Sequence, residues 1–260
     1  MAEPQRGGTS GLVSGRRAVE ELLASGNGAQ KILIVRDRAG GDAVARIRKL
    51  AGERDVPVRI VPKEEVERVA EGLNHQGVVA LTGAFQYSAL EDVLSNESAK
   101  VLFVDRVTDP HNLGSLLRSA DGAGFHGVVV PVHRAAPVTD VVRRVSSGAS
   151  EVVPVVRVSN IGRALEQAKD AGLWIAGLDA DGDADLWEST LLNPPVGLVL
   201  GSEQSGLGPA VAKRCDGIVK IPSSGRLDSL NVAVAGAVAM FEVARREADA
   251  SSLTGRGKIT

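Results

Sequence analysis

Nine short runs of β-branched and other apolar residues recur along almost the whole chain, separated by stretches with helical spacing. This alternation constrains the fold more than any other feature. The runs are KILIV (31–35), PVRIV (57–61), GVVALTG (77–83), KVLFVD (100–105), GVVVPV (127–132), VPVVRV (153–158), LWIAGL (173–178), VGLVLG (196–201) and GIVKIP (217–222). Continuous apolar runs mark strands buried on both faces, and helices between them make right-handed crossovers. An α/β fold with mainly parallel sheets is therefore predicted. The pattern loosens and turns acidic in AFQYSALEDVLSNESA (84–99). A linker over 85–99 would join a domain over 11–84 to a larger one over 100–248, with disordered or flexible tails at 1–10 and 249–260.

Composition narrows the function. The chain has 260 residues, 43% of them hydrophobic and 24% charged, which suits two buried cores rather than a disordered chain. Aromatic residues make up only 3%, too few for a platform that stacks single-stranded bases. Cys215 is the single cysteine, so an internal disulfide is excluded and a cytoplasmic location is expected. The apolar run from Val232 to Phe241 is about half a membrane span, and MAEPQRGGTS has no apolar segment of a secretion signal. Net charge is -2 overall, yet residues 6–63 carry 12 Lys+Arg against 6 Asp+Glu. That electropositive end suits an anionic partner.

Three segments depart from ordinary α/β connections. In DRVTDPHNLGSLLRSADGAGFHG (105–127), Asn112 is placed as the helix N-cap and Arg118 follows nearly two turns into the helix. In LGSEQSGLGPAV (200–211), glycines 201, 206 and 208 surround Glu203 after a strand, where ligands of open parallel sheets bind. The spacing fails both the dinucleotide fingerprint and the Walker A loop. In IPSSGRLDSLNVAVAGAVAMFE (221–242), Ser229 and Asn231 lead into a helix of small residues suited to close packing, as against a second subunit.

Taken in order, N-x-G-x-x-x-R-S-A (112–120), G-x-E-x-x-G (201–206) and I-P-x-x-G-x-x-x-S-L-N-V-A-V-A (221–235) resemble motifs 1, 2 and 3 of the SpoU (TrmH) family of RNA ribose 2′-O-methyltransferases, in the SPOUT superfamily. GRRAVEELL (15–23) and NHQGVVA (74–80) resemble the small L30e/L7Ae-like RNA-binding domain of the bacterial 23S rRNA guanosine 2′-O-methyltransferases. The resemblance implies an α/β SPOUT domain with a deep trefoil knot, a homodimer through that domain, and S-adenosylmethionine as cofactor. It places Asn112, Arg118, Glu203, Ser229 and Asn231 in catalysis, and Leu200, Gly201, Gly206, Ile221, Pro222, Ser229 and Leu230 around the cofactor. Thr139, Ser147 and Gly148 are expected to complete that cleft, and Arg16, Arg17, His75 and Arg118 to contact RNA.

The reaction implied is methylation of a ribose 2′-oxygen, with 23S rRNA the leading substrate. Alternatives are tRNA, an adenosine as in resistance-type enzymes, or a non-catalytic RNA-binding ribosome-assembly factor. The string DADGDAD (179–185) lacks calcium-loop spacing and is read as a solvated loop. His75, His111, His126 and His133 lack metal-ligand spacing, so no metal is expected. Cys215 is read as a small buried apolar residue.

Overall fold

Strand β2 (Ala29–Val35) shows why the N-terminal part folds as three layers. Its Ile32 and Ile34 enter one apolar cluster with Leu22, Val44 and Ile47, and its Leu33 and Val35 enter another with Val61, Val66 and Ala70. A strand alternates its side chains, so an unbroken apolar run can feed both faces. Helices α1 (Arg16–Ser25) and α2 (Asp42–Glu53) cover one face and α3 (Lys63–Ala70) the other. The sheet order is β1 (Gly11–Ser14), β4 (Val78–Thr82), β2, β3 (Val58–Val61). Only β2 and β3 are parallel; β4 runs antiparallel to both its neighbours. Pairing within this smaller sheet is mixed, because apolar runs report burial on two faces and not strand direction. Strand β1 was not among the nine runs.

The computed structural model describes residues 11–26, 28–70, 72, 74–203, 205–225 and 230–255, and side chains as far as residue 250. It divides into two compact units, one of residues 1–86 with 138–152, the other of 87–137 with 153–260. The sequence places 138–152 inside the C-terminal domain, yet it groups with the N-terminal unit. Leu12 N–H of edge strand β1 donates to Asp140 Oδ1 at 3.0 Å, at the start of α6 (Asp140–Val145). Arg143 of α6 forms a bidentate pair with Glu151, 2.7 and 3.1 Å, and donates to Thr82 Oγ1 at 2.8 Å. Both charged side chains are buried, so each requires the other.

The second unit holds a seven-stranded sheet, and every pair is parallel. Its order is β7 (Val155–Val158), β6 (Gly127–Pro131), β5 (Lys100–Val104), β10 (Val196–Leu200), β8 (Trp174–Leu178), β11 (Gly217–Lys220), β9 (Ala184–Asp185). From β5 the chain builds outward to β6 and β7, then returns to build on the other side. Loops therefore diverge outside the carboxyl ends of β5 and β10, where open parallel sheets bind ligands.

The expected linker carries helix α4 (Leu90–Leu94), whose Leu90 and Val93 are buried in the core of the second unit. Helices α5 (Pro110–Gly122), α7 (Ile161–Asp170), α8 (Pro209–Ala212) and α9 (Val232–Gly255) complete it. Helix α9 runs on to Gly255, through much of the stretch read as a tail. Its small residues face inward: a Cβ on Gly236 would meet Leu116 of α5 and Leu200 of β10. Close packing thus occurs within the chain. Among the described residues, no helix is long and apolar enough to cross a membrane.

Candidate functional site

A cavity of about 320 Å³ opens at the carboxyl ends of β8, β10 and β11, lined by the segments that follow them and by the start of α9. Leu200, Gly201, Gly206, Ile221 and Leu230, the residues the resemblance sets around a cofactor, line it. Pro222 is exposed and does not line it, although Ile221 and Ser223 on either side do. Ser229 lies outside the described residues. Thr139, Ser147 and Gly148 belong to the N-terminal unit. There Thr139 caps α6, and Gly148 lies against Glu21 and Ala18.

The wall at residues 201–203 and 205–207 is wound tightly. Ser202 and Gly206 exchange backbone hydrogen bonds at 3.0 and 3.1 Å, and Ser205 N–H donates to Ser202 Oγ at 3.0 Å. A Cβ at Gly201 would overlap the backbone of Gly206 and Leu207, so glycine is required. The acidic string read as solvated is part of this wall. Asp179 Oδ2 accepts from Leu207 N–H at 2.9 Å, Oδ1 accepts from Asp181 N–H at 3.2 Å, and Asp179 to Asp181 line the cavity. Asp179 was missed because a run of aspartates after a strand reads as solvent-facing polarity. Its place between two backbone loops is a tertiary fact.

Beside the cavity the motif residues form a hydrogen-bond relay. Asn231 Oδ1 accepts from Ala233 and Val234 N–H at 2.9 and 3.3 Å, capping α9. The cap fixes the amide orientation, so Nδ2 donates to Asn112 Oδ1 at 3.1 Å. Asn112 Nδ2 must then point away, and it donates to Glu203 Oε1 at 2.8 Å. Asn112 is free to do this because it is not the N-cap. Asp109 caps α5, accepting from His111 N–H at 2.8 Å, with Pro110 at the first helical position. Arg118 lies six residues past Asn112, about 9 Å along the α5 axis. It is exposed and not joined to the relay.

In the N-terminal unit, Arg16, Arg38, Lys63 and His75 line a second cavity, of about 750 Å³. His75 Nδ1 accepts from Gly77 N–H at 3.1 Å, which leaves Nε2 to carry the proton of the neutral ring. Lys63 pairs with Glu67 at 2.9 Å, and this hydrogen bond holds its ammonium above the ordinary lysine range. Arg17 is exposed and off this surface. Arg38 and Lys63 were not singled out from sequence, having no motif around them. Among the described residues, no group of three or more His, Cys, Asp or Glu could hold a metal. Cys215 is partly buried against the core of the second unit, and burial pushes its thiol up to about 11.

Comparisons with known proteins bear on both units. Residues 99–241 match the model of the SpoU rRNA Methylase family, and residues 12–88 match the model for RNA 2'-O ribose methyltransferase substrate binding. YacO of Bacillus subtilis, assigned by name to the TrmH family of tRNA/rRNA methyltransferases, is 38% identical over 239 residues, 90% of this chain and 95% of its own. The SpoU methyltransferase AviRb from Streptomyces viridochromogenes, solved with AdoMet, superposes with a TM-score of 0.78 at 28% identity. That match covers 92% of this chain and 91% of AviRb. An AdoMet-bound rRNA methyltransferase from Sinorhizobium meliloti gives 0.78 at 27% identity over 91% and 87%.

Proposed function

This chain belongs to the SpoU rRNA methylase family, and on that premise we propose that it is an S-adenosylmethionine-dependent methyltransferase acting on a ribose 2′-oxygen of RNA. A guanosine of 23S rRNA is the substrate we favour. The observation that carries the reading is the Glu203–Asn112–Asn231 relay beside a cavity walled by tightly wound backbone. The cavity suits the cofactor: Leu200, Ile221 and Leu230 give an apolar wall for adenosine, and Asp181 and Glu203 suit its positive charges. Glycine at 201 keeps that wall free of side chain.

When bound, S-adenosylmethionine supplies an electrophilic methyl group on a sulfonium. The protein must orient the ribose hydroxyl in line with that methyl and take its proton. Asn112, held from both sides, and Asn231 position the ribose. Ser229 shares that task and contacts the cofactor with Gly206. Glu203 orients Asn112 and accepts the proton, because a carboxylate can and a guanidinium, always protonated, cannot. Arg118 binds the phosphate beside the target ribose and offsets charge developing on its oxygen.

The domain over 11–84 grips folded RNA by shape and phosphate contacts, through Arg16, Arg17 and His75, ahead of a methyltransferase domain over 100–248. Val234 and Phe241, exposed two turns apart on α9, give a homodimer an apolar stripe. The enzyme works in the cytoplasm. The test is transfer of labelled methyl from S-adenosylmethionine to separated 23S, 16S and tRNA fractions. Label in 23S rRNA at a ribose 2′-oxygen, lost in Arg118→Ala, is expected. Label in tRNA alone overturns the substrate; cofactor binding without label on RNA or ribosomal particles overturns the reaction. If Arg118→Ala abolishes turnover at unchanged RNA affinity, its phosphate role is wrong.

A further inference from the structure

Arg106 stands between two loops of the second unit with a left-handed backbone, φ 58°, a conformation disfavoured for side chains other than Gly, Asn and Asp. Nothing in its own turn calls for arginine there, and glycine would remove the strain. The side chain accounts for the choice. Its Nε donates to Asp105 Oδ2 at 2.9 Å, which aims the guanidinium across the carboxyl end of β5. One Nη then donates to Ser205 Oγ and the other to the carbonyl of Gly206, both at 3.3 Å. Ser205 and Gly206 line the cavity, and Gly206 is the residue against which Gly201 packs. On the far side Asp179 holds Leu207 N–H. The wall is thus gripped from two strands, by a cation from β5 and a carboxylate from β8.

We infer that Arg106 is a positioning residue for the cofactor: it holds the wall at Ser205 and Gly206 in the shape that binds S-adenosylmethionine. This rests on the cofactor reading above. A loop held in its binding shape binds at intrinsic affinity, and one that leaves that shape binds more weakly by the fraction of time it is away. Losing the charge-assisted contacts to one wall amounts to about a tenfold loss of affinity.

The variants are Arg106→Gly, which fits the backbone and removes the guanidinium, and Arg106→Lys, which keeps a cation but not the fork. Binding of S-adenosylmethionine and S-adenosylhomocysteine is measured by calorimetry, with thermal unfolding alongside. Arg106→Gly is expected to bind both about tenfold more weakly while its Tm stays level or rises, since backbone strain is relieved. A purely structural arginine would lower Tm and affinity together. Arg106→Lys is expected to recover part of the affinity. In methyl transfer, KM for the cofactor rises while kcat and KM for RNA hold. Unchanged affinity in Arg106→Gly, with the wild type binding normally, overturns the inference. A wild type that binds neither ligand overturns the cofactor reading instead.

Discussion

The pair Arg143–Glu151 offers the sharpest test of how the chain is partitioned. Its side chains are 4% and 1% exposed, and its hydrogen bonds lie within the N-terminal unit. Replacing Glu151 by Gln leaves a buried guanidinium without its counter-charge, which costs about 3–5 kcal/mol in such sites. Thr82 Oγ1 still accepts from Nη1, and the Phe85 ring lies 5.7 Å from the guanidinium carbon, so the low end, about 3 kcal/mol, applies. In a unit of about 100 residues that lowers Tm by roughly 10–20 °C.

Both tryptophans, Trp174 and Trp187, lie in the other unit. Far-UV circular dichroism should therefore show the early transition while tryptophan fluorescence lags behind it. The double variant Arg143→Met with Glu151→Leu, which removes both charges, should return to within about 1.5 kcal/mol of wild type. A loss below about 1 kcal/mol in Glu151→Gln, or a shift confined to the tryptophan signal, refutes the burial argument and the placement of 138–152.

Gly201→Ala, whose Cβ would overlap Gly206 and Leu207, should cost about 1–3 kcal/mol of stability and lower cofactor affinity at least tenfold, both read by thermal shift with and without S-adenosylmethionine. Asn112→Ala should leave the α5 cap at Asp109 intact and Tm within a few degrees, yet cut kcat by about a hundredfold or more in single-turnover methyl transfer. His126 is held below its ordinary 6.5, first by burial and then by Lys100, while its Nδ1 accepts from Lys100 N–H. The unfolded chain therefore takes up the proton more readily. Stability is full above about 6.5 and is lost as pH falls below it, a slope that urea titrations should show reduced in His126→Gln.

Much of the architecture was legible in sequence because burial on two faces leaves a linear trace. All nine apolar runs became strands, and the relay residues Asn112, Glu203 and Asn231 sat in recognisable motifs. Among the described residues, the two strands without such a trace are β1, four residues at a sheet edge, and β9, two residues long. Asp179 and Arg106 were illegible for a related reason. Each draws its position from a partner distant in the chain, and a lone charged residue between strands looks like solvent-facing polarity.

The sequence by itself determined the two-domain α/β character, the order of the strands' buried runs and the family, because these rest on local periodicity and on residues close together in the chain. Tertiary structure alone decided the direction of β4, the transfer of 138–152 to the N-terminal unit, and the bracing of the cavity wall by Arg106 and Asp179. Those outcomes depend on which distant backbone groups and charges lose their water together. Arg143 pairs with Glu151 eight residues away, but what buries them is the sheet ending at Thr82. No local pattern carries that information, since desolvation is a property of the assembled neighbourhood.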